Sequence, residues 1–454
     1  MRKYFGTDGI RRIANTELTP NLVFRVAKAG AYVLSKHTDH APTILIGRDT
    51  RISGTLIESA MTAGFLSYGA NVKSLGVIPT PAVAYLTKKL NADASVVISA
   101  SHNTFEFNGV KYFSNKGMKI SDEIEEEIEE IMDSDKLSAL NAVGEKIGTS
   151  ENREDLIEKY VEFFEHTFKD NFSEHMDLNF KVAIDTANGA TYEVANKVFT
   201  ALGIEHIIIN NTPNGVNIND NCGSTHLEGL KKFVVENKLS LGIAYDGDGD
   251  RCLAIDENGN VMDGDIILAI VSKYLKKRNK LSKDTVVATV MSNLGLNKYA
   301  ENNNLTLKQT KVGDRYVLEE MLKEGYNLGG EQSGHVIFLD YNPTGDGILT
   351  SLMLIQVMLE EKEKASALAS EITIYPQVLI NAKVSSDKKY DYEKDSEISA
   401  KIKELNDEFA GNGRVLIRPS GTEPLVRVMI EGKDQDYITK RAKELATLIE
   451  EKLK

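Results

Sequence analysis

A pattern of strand, polar loop, helix and second strand recurs three times along the chain. Its first strands are predicted at residues 43–47, 180–184 and 284–288, and a helical segment and another strand follow each of them. Parallel neighbouring strands need a long crossover connection, usually a helix, so this order is typical of an α/β sheet. The recurrence therefore predicts the strand–helix–strand crossover of an α/β sheet at three places in the chain. In such sheets, ligands bind at the loops that follow the carboxyl ends of strands.

The rest of the chain adds a fourth, smaller unit. Its pattern is strand, helix, two further strands and a final helix, which indicates an α+β domain. A length of 454 residues is consistent with three or four domains. No low-complexity linker separates the blocks, so we expect them to pack around a shared central cleft. The predicted domains are residues 1–150, 151–256, 257–371 and 372–454.

Composition limits the possible partners. The formal net charge of −13 argues against nucleic acid or an anionic membrane as a partner. The two cysteines, Cys222 and Cys252, provide neither a disulfide framework nor the spacing of a zinc site. The N-terminal residues lack an apolar signal segment, and no apolar run is long enough to span a bilayer. We therefore expect a cytoplasmic protein, and the net charge does not argue against a phosphorylated substrate.

Residues 121–132 are predicted to form an acidic amphipathic helix. Ile124, Ile128 and Ile131 form one apolar stripe along it. The glutamates between them are expected to lie on the solvated face of the helix.

The segment Asp246–Arg251 has three aspartates that alternate with glycines and end at an arginine. Glycine lets the backbone bend so that the three carboxylates can converge. Such a cluster repels itself, and a divalent cation is the natural relief. Apolar segments at 241–245 and 252–255 predict short strands on both sides. The segment therefore predicts a metal loop at the end of a strand, and Arg251 indicates that an anion such as phosphate comes to the same place.

An acidic surface turn and a calcium loop are the alternatives for this segment. An acidic surface turn would need no ligand. A calcium loop is suggested by Glu257, the twelfth residue counted from Asp246, but Arg251 occupies the sixth position, where such a loop needs glycine. The flanking segments also have strand patterns rather than the helices of a calcium hand.

The segment Ser99–Asn103 follows a predicted buried strand at 94–98. A serine at a strand end, next to His102 and near Lys111, is a candidate covalent carrier, whereas a polar loop with capping serines is the alternative. A serine-hydrolase triad is disfavoured because no Gly-x-Ser-x-Gly elbow is present. In an extended segment, the adjacent side chains of Ser101 and His102 would also diverge.

Two further loops carry polar chemistry. The segment Arg418–Pro424 lies between two predicted strands, with Arg427 beyond it. Its arginine, hydroxyls and glycine suit a phosphate, although a tight surface turn is the alternative. The segment Gly329–His335 offers a carboxylate, an amide, a hydroxyl and an imidazole, which suit sugar hydroxyls or an amine. Phosphate-binding nucleotide motifs are missing, so nucleotide cofactors have no support.

Five motifs together resemble one family, the α-D-phosphohexomutases. The resemblance covers essentially the whole chain, and the motifs occur in the family's order. Within the family, the sequence is most similar to the bacterial branch that acts on glucosamine phosphates, because Gln332 stands where other branches usually have methionine. The motifs are Gly6–Arg11, Ser99–Asn103 with Asn108–Lys111, Asp246–Arg251, Gly330–His335 and Arg418–Pro424.

The resemblance implies three related α/β/α domains with mixed sheets, plus a smaller C-terminal α+β domain, around a central cleft. It implies an isomerase that interconverts glucosamine 6-phosphate and glucosamine 1-phosphate and so supplies UDP-N-acetylglucosamine and cell-wall precursor synthesis. The enzyme would carry phosphoserine at Ser101 and use Mg²⁺. Glucosamine 1,6-bisphosphate would be the intermediate, and it or glucose 1,6-bisphosphate would act as activator. A homodimer is an expectation of the family.

The resemblance also assigns roles to individual residues. Ser101, Asp246, Asp248 and Asp250 would hold the metal. His102, Lys111, Arg11 and Arg251 would surround the transferred phosphoryl group, with Lys111 a candidate for proton transfer. Glu331, Ser333 and His335 would bind the sugar. The other phosphate would be held by Arg418, Ser420, Gly421, Thr422 and Arg427.

The sequence departs from the family pattern at two positions. Thr104 replaces the proline that usually follows the Ser-His-Asn triplet, which is expected to loosen the serine loop. Arg12 replaces a common glycine. Three rival functions are a phosphomannomutase or phosphoglucomutase of the same family, a Mg²⁺-dependent phosphatase with Asp246 as nucleophile, and a non-catalytic cation-binding module.

Overall fold

The structure is a computed structural model that describes residues 3–6, 8–36, 38–175, 179–420 and 423–454. The chain forms two compact units. The first comprises Met1–Val290 with Lys308–Ser370, and the second comprises Met291–Leu307 with Glu371–Lys454. Within the described ranges, no helix is long and apolar enough to cross a membrane.

The first sheet has six strands in the order β1-β5-β4-β2-β3-β6. Its central strand β4 is buried at every position, as its run of small and β-branched residues predicts. Strand β2 is parallel to β3 and β4, whereas β5 is antiparallel to β4. The strands are β1 Ile10–Ile13, β2 Thr43–Arg48, β3 Asn71–Val77, β4 Ala94–Ile98, β5 Phe107–Ser114 and β6 Ser150–Asn152. The helices are α1 Pro20–Ser35, α2 Gly54–Tyr68, α3 Thr80–Lys89, α4 Asp122–Met132 and α5 Lys136–Ala139.

The second sheet has five strands in the order β11-β10-β9-β7-β8. Strand β7 is parallel to β8 and β9, and β10 is antiparallel to β9. The strands are β7 Lys181–Asp185, β8 Glu205–Ile209, β9 Leu241–Tyr245, β10 Cys252–Asp256 and β11 Val261–Met262. The helices are α6 Ile157–His175, α7 Val194–Ala201 and α8 Glu228–Glu236.

The third sheet has four strands in the order β13-β12-β14-β15. Strand β12 is parallel to β14, and β15 is antiparallel to β14. Helix α12 is buried along most of its length, and the Asp346 side chain caps its first turn by accepting from the Leu349 N–H. The strands are β12 Thr285–Thr289, β13 Thr306–Thr310, β14 Leu328–Gly330 and β15 Val336–Phe338. The helices are α9 Gly264–Lys277, α11 Asp314–Glu324, α12 Gly347–Glu361 and α13 Ala365–Ala369, whereas α10 Leu294–Asn302, which follows β12 in the chain, belongs to the second unit.

All three sheets share one strand order, which confirms the predicted recurrence. Each contains the run β5-β4-β2-β3, β10-β9-β7-β8 or β15-β14-β12-β13, with the later strands in equivalent places. In each sheet, one loop joins a strand with a parallel neighbour to the antiparallel strand that follows it. These loops are residues 99–106, 246–251 and 331–335. The serine, aspartate and glycine-rich motifs therefore occupy the same topological position in three related sheets.

The second unit contains a three-stranded antiparallel sheet in the order β16-β18-β17. Helices α14 and α15 cover it, and their apolar faces share one core with the sheet. The elements are β16 Gln377–Lys383, α14 Ser396–Phe409, β17 Arg414–Pro419, β18 Leu425–Glu431 and α15 Gln435–Leu453. The predicted order of strand, helix, two strands and helix is confirmed.

Helix α4 confirms one expectation and corrects another. Its Ile128 lies in the core of the first sheet, as the apolar stripe predicts. The expectation that all its glutamates are solvated is wrong, because Glu125 and Glu129 are buried. The Glu129 carboxylate accepts hydrogen bonds of 2.6–2.7 Å from the backbone N–H groups of residues 3–5. Periodicity misses this because the partner segment is more than 120 residues away in the chain.

Candidate active site

Ser101 lies in the loop that follows β4 and points at the aspartate segment. Its hydroxyl donates a hydrogen bond of 2.6 Å to Asp246 Oδ2. The expectation that Ser101 and His102 diverge is wrong, because Ser101 Oγ lies 3.4 Å from His102 Nδ1. Ser101 has φ of 52°, so the chain turns through the left-handed region here instead of continuing as an extended segment. The turn brings both side chains to one place.

The three aspartates converge on the loop between β9 and β10. Asp246, Asp248 and Asp250 are buried, and one oxygen from each lies within 4.8 Å of the others. Gly249 has φ of 71°, which favours glycine, and a Cβ on Gly247 would lie 2.5 Å from the Ser101 carbonyl oxygen. The alternating glycines therefore let the aspartate loop bend and let its backbone touch the serine loop.

The aspartate cluster fits a divalent cation. Among the described residues, Asp248 Oδ1 and Asp250 Oδ1 are buried without a hydrogen-bond partner. Burial and the neighbouring carboxylates of Asp250 and Asp248 raise the pKa of Asp246 well above its usual range. Three buried hard-oxygen donors with unused lone pairs suit Mg²⁺, and a bound cation would offset their repulsion.

Lys111 is the main cation beside the cluster. Its Nζ lies 2.9 Å from Asp248, 3.3 Å from Asp8 and 3.7 Å from Asp250. Burial alone would lower the pKa of Lys111, but these three carboxylates raise it above its usual value. Lys111 is therefore held as an ammonium group against the aspartates.

Arg251 and His102 also lie beside the serine. Arg251 Nη1 is 3.3 Å from His102 Nδ1, and its backbone N–H donates to Asp246 Oδ1 at 3.2 Å. Burial, and then the charges of Arg251 and Arg11, lower the pKa of His102 to about 4. His102 is therefore a neutral imidazole near pH 7. Within the described part of the chain, Arg251 Nε makes no hydrogen bond, which leaves a donor for an anion.

Arg11 is a third cation near the serine loop, after Lys111 and Arg251. It donates to Asn103 Oδ1 at 3.0 Å and to Asp8 Oδ2 at 2.7 Å. Burial would raise the pKa of Asp8, but Lys111, Lys119 and Arg11 hold it well below its usual range. Asp8 is thus an ionised bridge between these cations.

A ladder of alternating charges leads from the serine site to the third sheet. Lys119 bridges Asp8 and Asp314, and Asp314 Oδ2 lies 3.5 Å from His335 Nε2. Sequence reasoning missed Lys119 and Asp314, and it treated Asp8 only as part of a glycine-rich motif. Their role depends on contacts across more than 100 residues of chain, which no local pattern signals.

The polar side chains of the glycine-rich loop between β14 and β15 differ in their contacts and exposure. Glu331 Oε1 accepts from the Gly313 N–H at 3.1 Å, and Ser333 is exposed. Gln332 donates to Asp263 at 3.1 Å. His335 is buried, and its Nε2 accepts from the Gly345 N–H at 3.2 Å. His335 therefore holds the backbone at Gly345 through this hydrogen bond.

A separate group of cations lies in the second unit. Arg418 on β17 and Arg427 on β18 are directly opposite each other. Burial and the Arg427 charge lower the pKa of Arg418. Among the described residues, the Nε atoms of both arginines are buried without a hydrogen-bond partner. Arg427 Nη2 also donates to Glu423 Oε2 at 3.3 Å, which offsets part of the repulsion between the two arginines. The two unpartnered Nε donors suit a bound anion. Gly421 and Thr422 lie outside the described residues.

The comparisons with known proteins agree along the whole chain. Phosphoglucomutase/phosphomannomutase α/β/α domains I, II and III match residues 2–139, 158–259 and 263–375, and the C-terminal domain of the same family matches residues 379–448. The chain belongs to the phosphoglucomutase/phosphomannomutase family. The resemblance to phosphohexomutases, predicted from five motifs, is thereby confirmed, and the chain is an enzyme of an isomerase family.

Relatives in this phosphohexomutase family share more than half of the sequence. The phosphoglucosamine mutase of Ruminiclostridium cellulolyticum is 56% identical over 453 residues, and the alignment covers 100% of each chain. The phosphoglucosamine mutase of Acetivibrio thermocellus is 55% identical over 453 residues, with the same coverage.

Solved structures of phosphohexomutases share the fold. A phosphoglucomutase/phosphomannomutase family protein of Burkholderia thailandensis has a TM-score of 0.82 at 20% identity, covering 99% of this chain and 98% of that one. The N-acetylphosphoglucosamine mutase of Aspergillus fumigatus, in complex with GlcNAc-6P and magnesium, has a TM-score of 0.68 at 17% identity and covers 100% and 96%. The predicted fold class is confirmed.

Proposed function

We propose that this phosphohexomutase interconverts glucosamine 6-phosphate and glucosamine 1-phosphate through a phosphorylated Ser101. The observation that carries the proposal is the contact between the Ser101 hydroxyl and Asp246, inside a buried cluster of carboxylates and cations. The choice of sugar is supported by the name of the relatives that are more than half identical over their full length. A phosphatase or a cation-binding module would leave the serine without a role.

The reaction is a pair of phosphoryl transfers. The bond between Ser101 Oγ and phosphorus breaks as the C1 hydroxyl of glucosamine 6-phosphate forms a new bond to that phosphorus, and the proton of that hydroxyl passes to Ser101 Oγ. The product is glucosamine 1,6-bisphosphate. After this intermediate turns around, the phosphoryl group at C6 is transferred to Ser101 Oγ, and the serine proton passes to the C6 oxygen. Glucosamine 1-phosphate is released, and the phosphoenzyme is restored.

The surrounding side chains suit this transfer because its transition state spreads negative charge over the phosphoryl oxygens. Arg251, Arg11 and Lys111 would stabilise that charge, and neutral His102 would contact the phosphoryl group. Asp246, Asp248 and Asp250 would hold Mg²⁺ together with an oxygen of phosphorylated Ser101. A bound Mg²⁺ supplies charge stabilisation at the phosphoryl oxygens.

Two other groups of residues are proposed to bind the substrate. Glu331, Ser333 and His335 would contact the sugar. The phosphate that does not react would be held by Arg418, Ser420, Gly421, Thr422 and Arg427. Phosphate recognition of this general kind would serve both orientations of the bisphosphate.

The proposal is tested by comparing sugars. With Mg²⁺ and catalytic glucose 1,6-bisphosphate, we expect kcat/KM for glucosamine 6-phosphate to exceed that for glucose 6-phosphate or mannose 6-phosphate by about tenfold or more. The products are separated by chromatography, and inorganic phosphate is measured in parallel. A preference for glucose or mannose phosphate would point to the other branches of the family. Steady release of phosphate would point to a phosphatase.

Replacement of Arg418 by methionine tests the second-unit site. We expect KM for the sugar phosphate to rise by about 10–100-fold, since a charge-assisted hydrogen bond to phosphate contributes about 1.5–3 kcal/mol. Removal of one guanidinium also relieves repulsion with Arg427, so the variant should fold normally. Lys433→Met, an exposed charge loss in the same unit, is the control. An unchanged KM in R418M would remove Arg418 from the binding site.

A further inference from the structure

Arg51 and Asn219 donate hydrogen bonds to the same two backbone carbonyl oxygens of the serine loop, residues 99–106. Arg51 follows β2 of the first sheet, and Asn219 lies between β8 and β9 of the second sheet. Arg51 Nη2 donates to the carbonyl oxygens of Ser101 and Asn103 at 3.0 and 2.8 Å. Asn219 Nδ2 donates to the same two carbonyls, at 2.9 Å each. Among the described residues, the hydrogen bonds of the Ser101 hydroxyl are to Asp246 and His102 rather than to Arg51 or Asn219, and the proposed reaction uses neither of these two side chains.

The whole guanidinium of Arg51 is used in hydrogen bonds. It is 1% exposed, and its Nε donates to Asp49 at 2.8 Å. Besides the two shared carbonyls, it donates from Nη1 to the carbonyls of Thr104 and Phe107. A guanidinium has five N–H donors, so every donor of Arg51 is used, three of them on the serine loop and one on Phe107, the first residue of β5. The loosening expected from Thr104 in place of proline is therefore opposed by Arg51.

Asp49 extends the grip to the start of the loop. Its Oδ2 accepts from the Ser99 hydroxyl at 2.6 Å, and Ser99 Oγ in turn accepts from the Ser101 N–H at 2.9 Å. The backbone of Ser101 is thus held on its N–H and on its carbonyl.

Asn219 comes from the second sheet's part of the chain, between β8 and β9. It is 3% exposed, and its backbone N–H donates to the Ala187 carbonyl at 2.9 Å. Both protons of its amide are used on the serine loop. Asn219 precedes β9, and the aspartate loop follows the same strand. Its amide therefore joins the serine loop to the second sheet, which carries Asp246.

The hydrogen bonds from Arg51 and Asn219 explain how Ser101 retains a disfavoured backbone conformation. A residue with a Cβ is disfavoured at φ of 52°, and such strain persists only where the surroundings over-determine it. We propose that Arg51 and Asn219 are positioning residues, which hold the Ser101 hydroxyl on the aspartate cluster for phosphoryl transfer. The proposal rests on the proposed function. Because a displacement of about 1 Å can cost about 100-fold in rate, loss of either grip should slow the transfer more than it weakens binding.

Asn219→Gly is the sharpest test. Glycine accepts the φ of 58° at this position, so the substitution removes the amide without straining the backbone. Asn221→Gly is the matched control, because Asn221 has φ of 53° in the same loop but is exposed. We expect N219G to lower kcat by about 10–100-fold, with KM for the sugar phosphate within about threefold of wild type. The control should keep wild-type values.

A second variant and a second measurement keep the test independent of folding. Asn219→Asp keeps the shape but replaces the donor with an oxygen that faces two carbonyls, so kcat should fall at least as far as in N219G. Hydrogen exchange of peptides spanning 99–108 should be faster in both variants than in N221G. Arg51→Lys, with three donors in place of five, should show the same pattern in kcat.

The outcomes separate the positioning role from the proposed function. A wild-type kcat in N219G or N219D, an equal loss in N221G, or a KM that rises in proportion to the loss of kcat would overturn the positioning role. If the wild-type protein turns over no sugar phosphate, the proposed function fails instead. Unchanged exchange at 99–108 in the Asn219 variants would then also reject the grip.

Discussion

Replacement of Ser101 by alanine is expected to reduce the interconversion of the two glucosamine monophosphates by about 10⁴-fold or more. Removal of a nucleophile that acts as a unit with its neighbours costs on this scale, because the remaining residues cannot form the covalent intermediate. The Ser101 hydroxyl is the group that contacts Asp246, and S101A removes it without adding bulk. The assay follows formation of glucosamine 1-phosphate with catalytic glucose 1,6-bisphosphate.

Intact mass spectrometry gives a second, independent result for this variant. Wild-type protein incubated with glucose 1,6-bisphosphate should gain the mass of one phosphate at the peptide that contains Ser101, whereas S101A should gain none. Ser134→Ala, an exposed serine at the end of α4, is the control and should match wild type in both assays. Wild-type turnover by S101A would contradict the covalent route altogether.

Local pattern in the sequence was sufficient for the elements that carry chemistry. The apolar segments on both sides of Asp246–Arg251 predicted strands, and β9 and β10 are found there. The threefold recurrence predicts α/β crossovers, because a crossover between parallel strands leaves a regular order of strand, helix and strand, and the resemblance to a family implies that the three sheets are related. The hypothesis of convergent carboxylates holds for the same reason, since glycine spacing is a local property.

Contacts between distant segments are what local pattern could not supply. The ladder through Lys119 and Asp314, and the grip of Arg51 and Asn219, join residues that are 50 to 195 positions apart. Each of these residues has a polar type that is common on any surface. The burial of Arg51 and Asn219, and the partial burial of Lys119 and Asp314, cannot be read from local pattern because tertiary neighbours set them. The buried Glu129 escaped detection for the same reason.

Ser101 and His102 show how one backbone angle changes the chemistry that is available. In an extended segment their side chains would point to opposite faces, which is what the sequence suggested. The left-handed φ of Ser101 removes that alternation and brings Oγ to 3.4 Å from Nδ1 of His102. Non-glycine residues rarely adopt this region, so no propensity rule predicts it. The geometry is maintained by hydrogen bonds to the loop backbone.

Replacement of Asp250 by asparagine is expected to have the second large effect, a loss of about 10³-fold in kcat/KM at low Mg²⁺ concentration. Asp250 is the best probe of the cluster because its Oδ1 has no hydrogen-bond partner among the described residues and its cationic neighbours lie 3.7 Å or more away. The substitution keeps the shape and removes one anionic ligand. Because D250N should bind Mg²⁺ more weakly than the wild type, part of its activity should return at high Mg²⁺ concentration.

Thermal unfolding distinguishes loss of the cation from loss of the fold. A ligand that binds only the folded state raises Tm by mass action, so Mg²⁺ should raise Tm of the wild type much more than that of D250N. Without Mg²⁺, D250N should have a higher Tm than the wild type, because the substitution removes one of three mutually repelling carboxylates. The same repulsion raises the pKa of Asp246. Asp220→Asn, an exposed change of the same charge, should behave as wild type. Equal Mg²⁺ stabilisation of D250N and wild type would mean that the cation binds elsewhere, and the aspartate cluster would then need another explanation for its buried, unpaired oxygens.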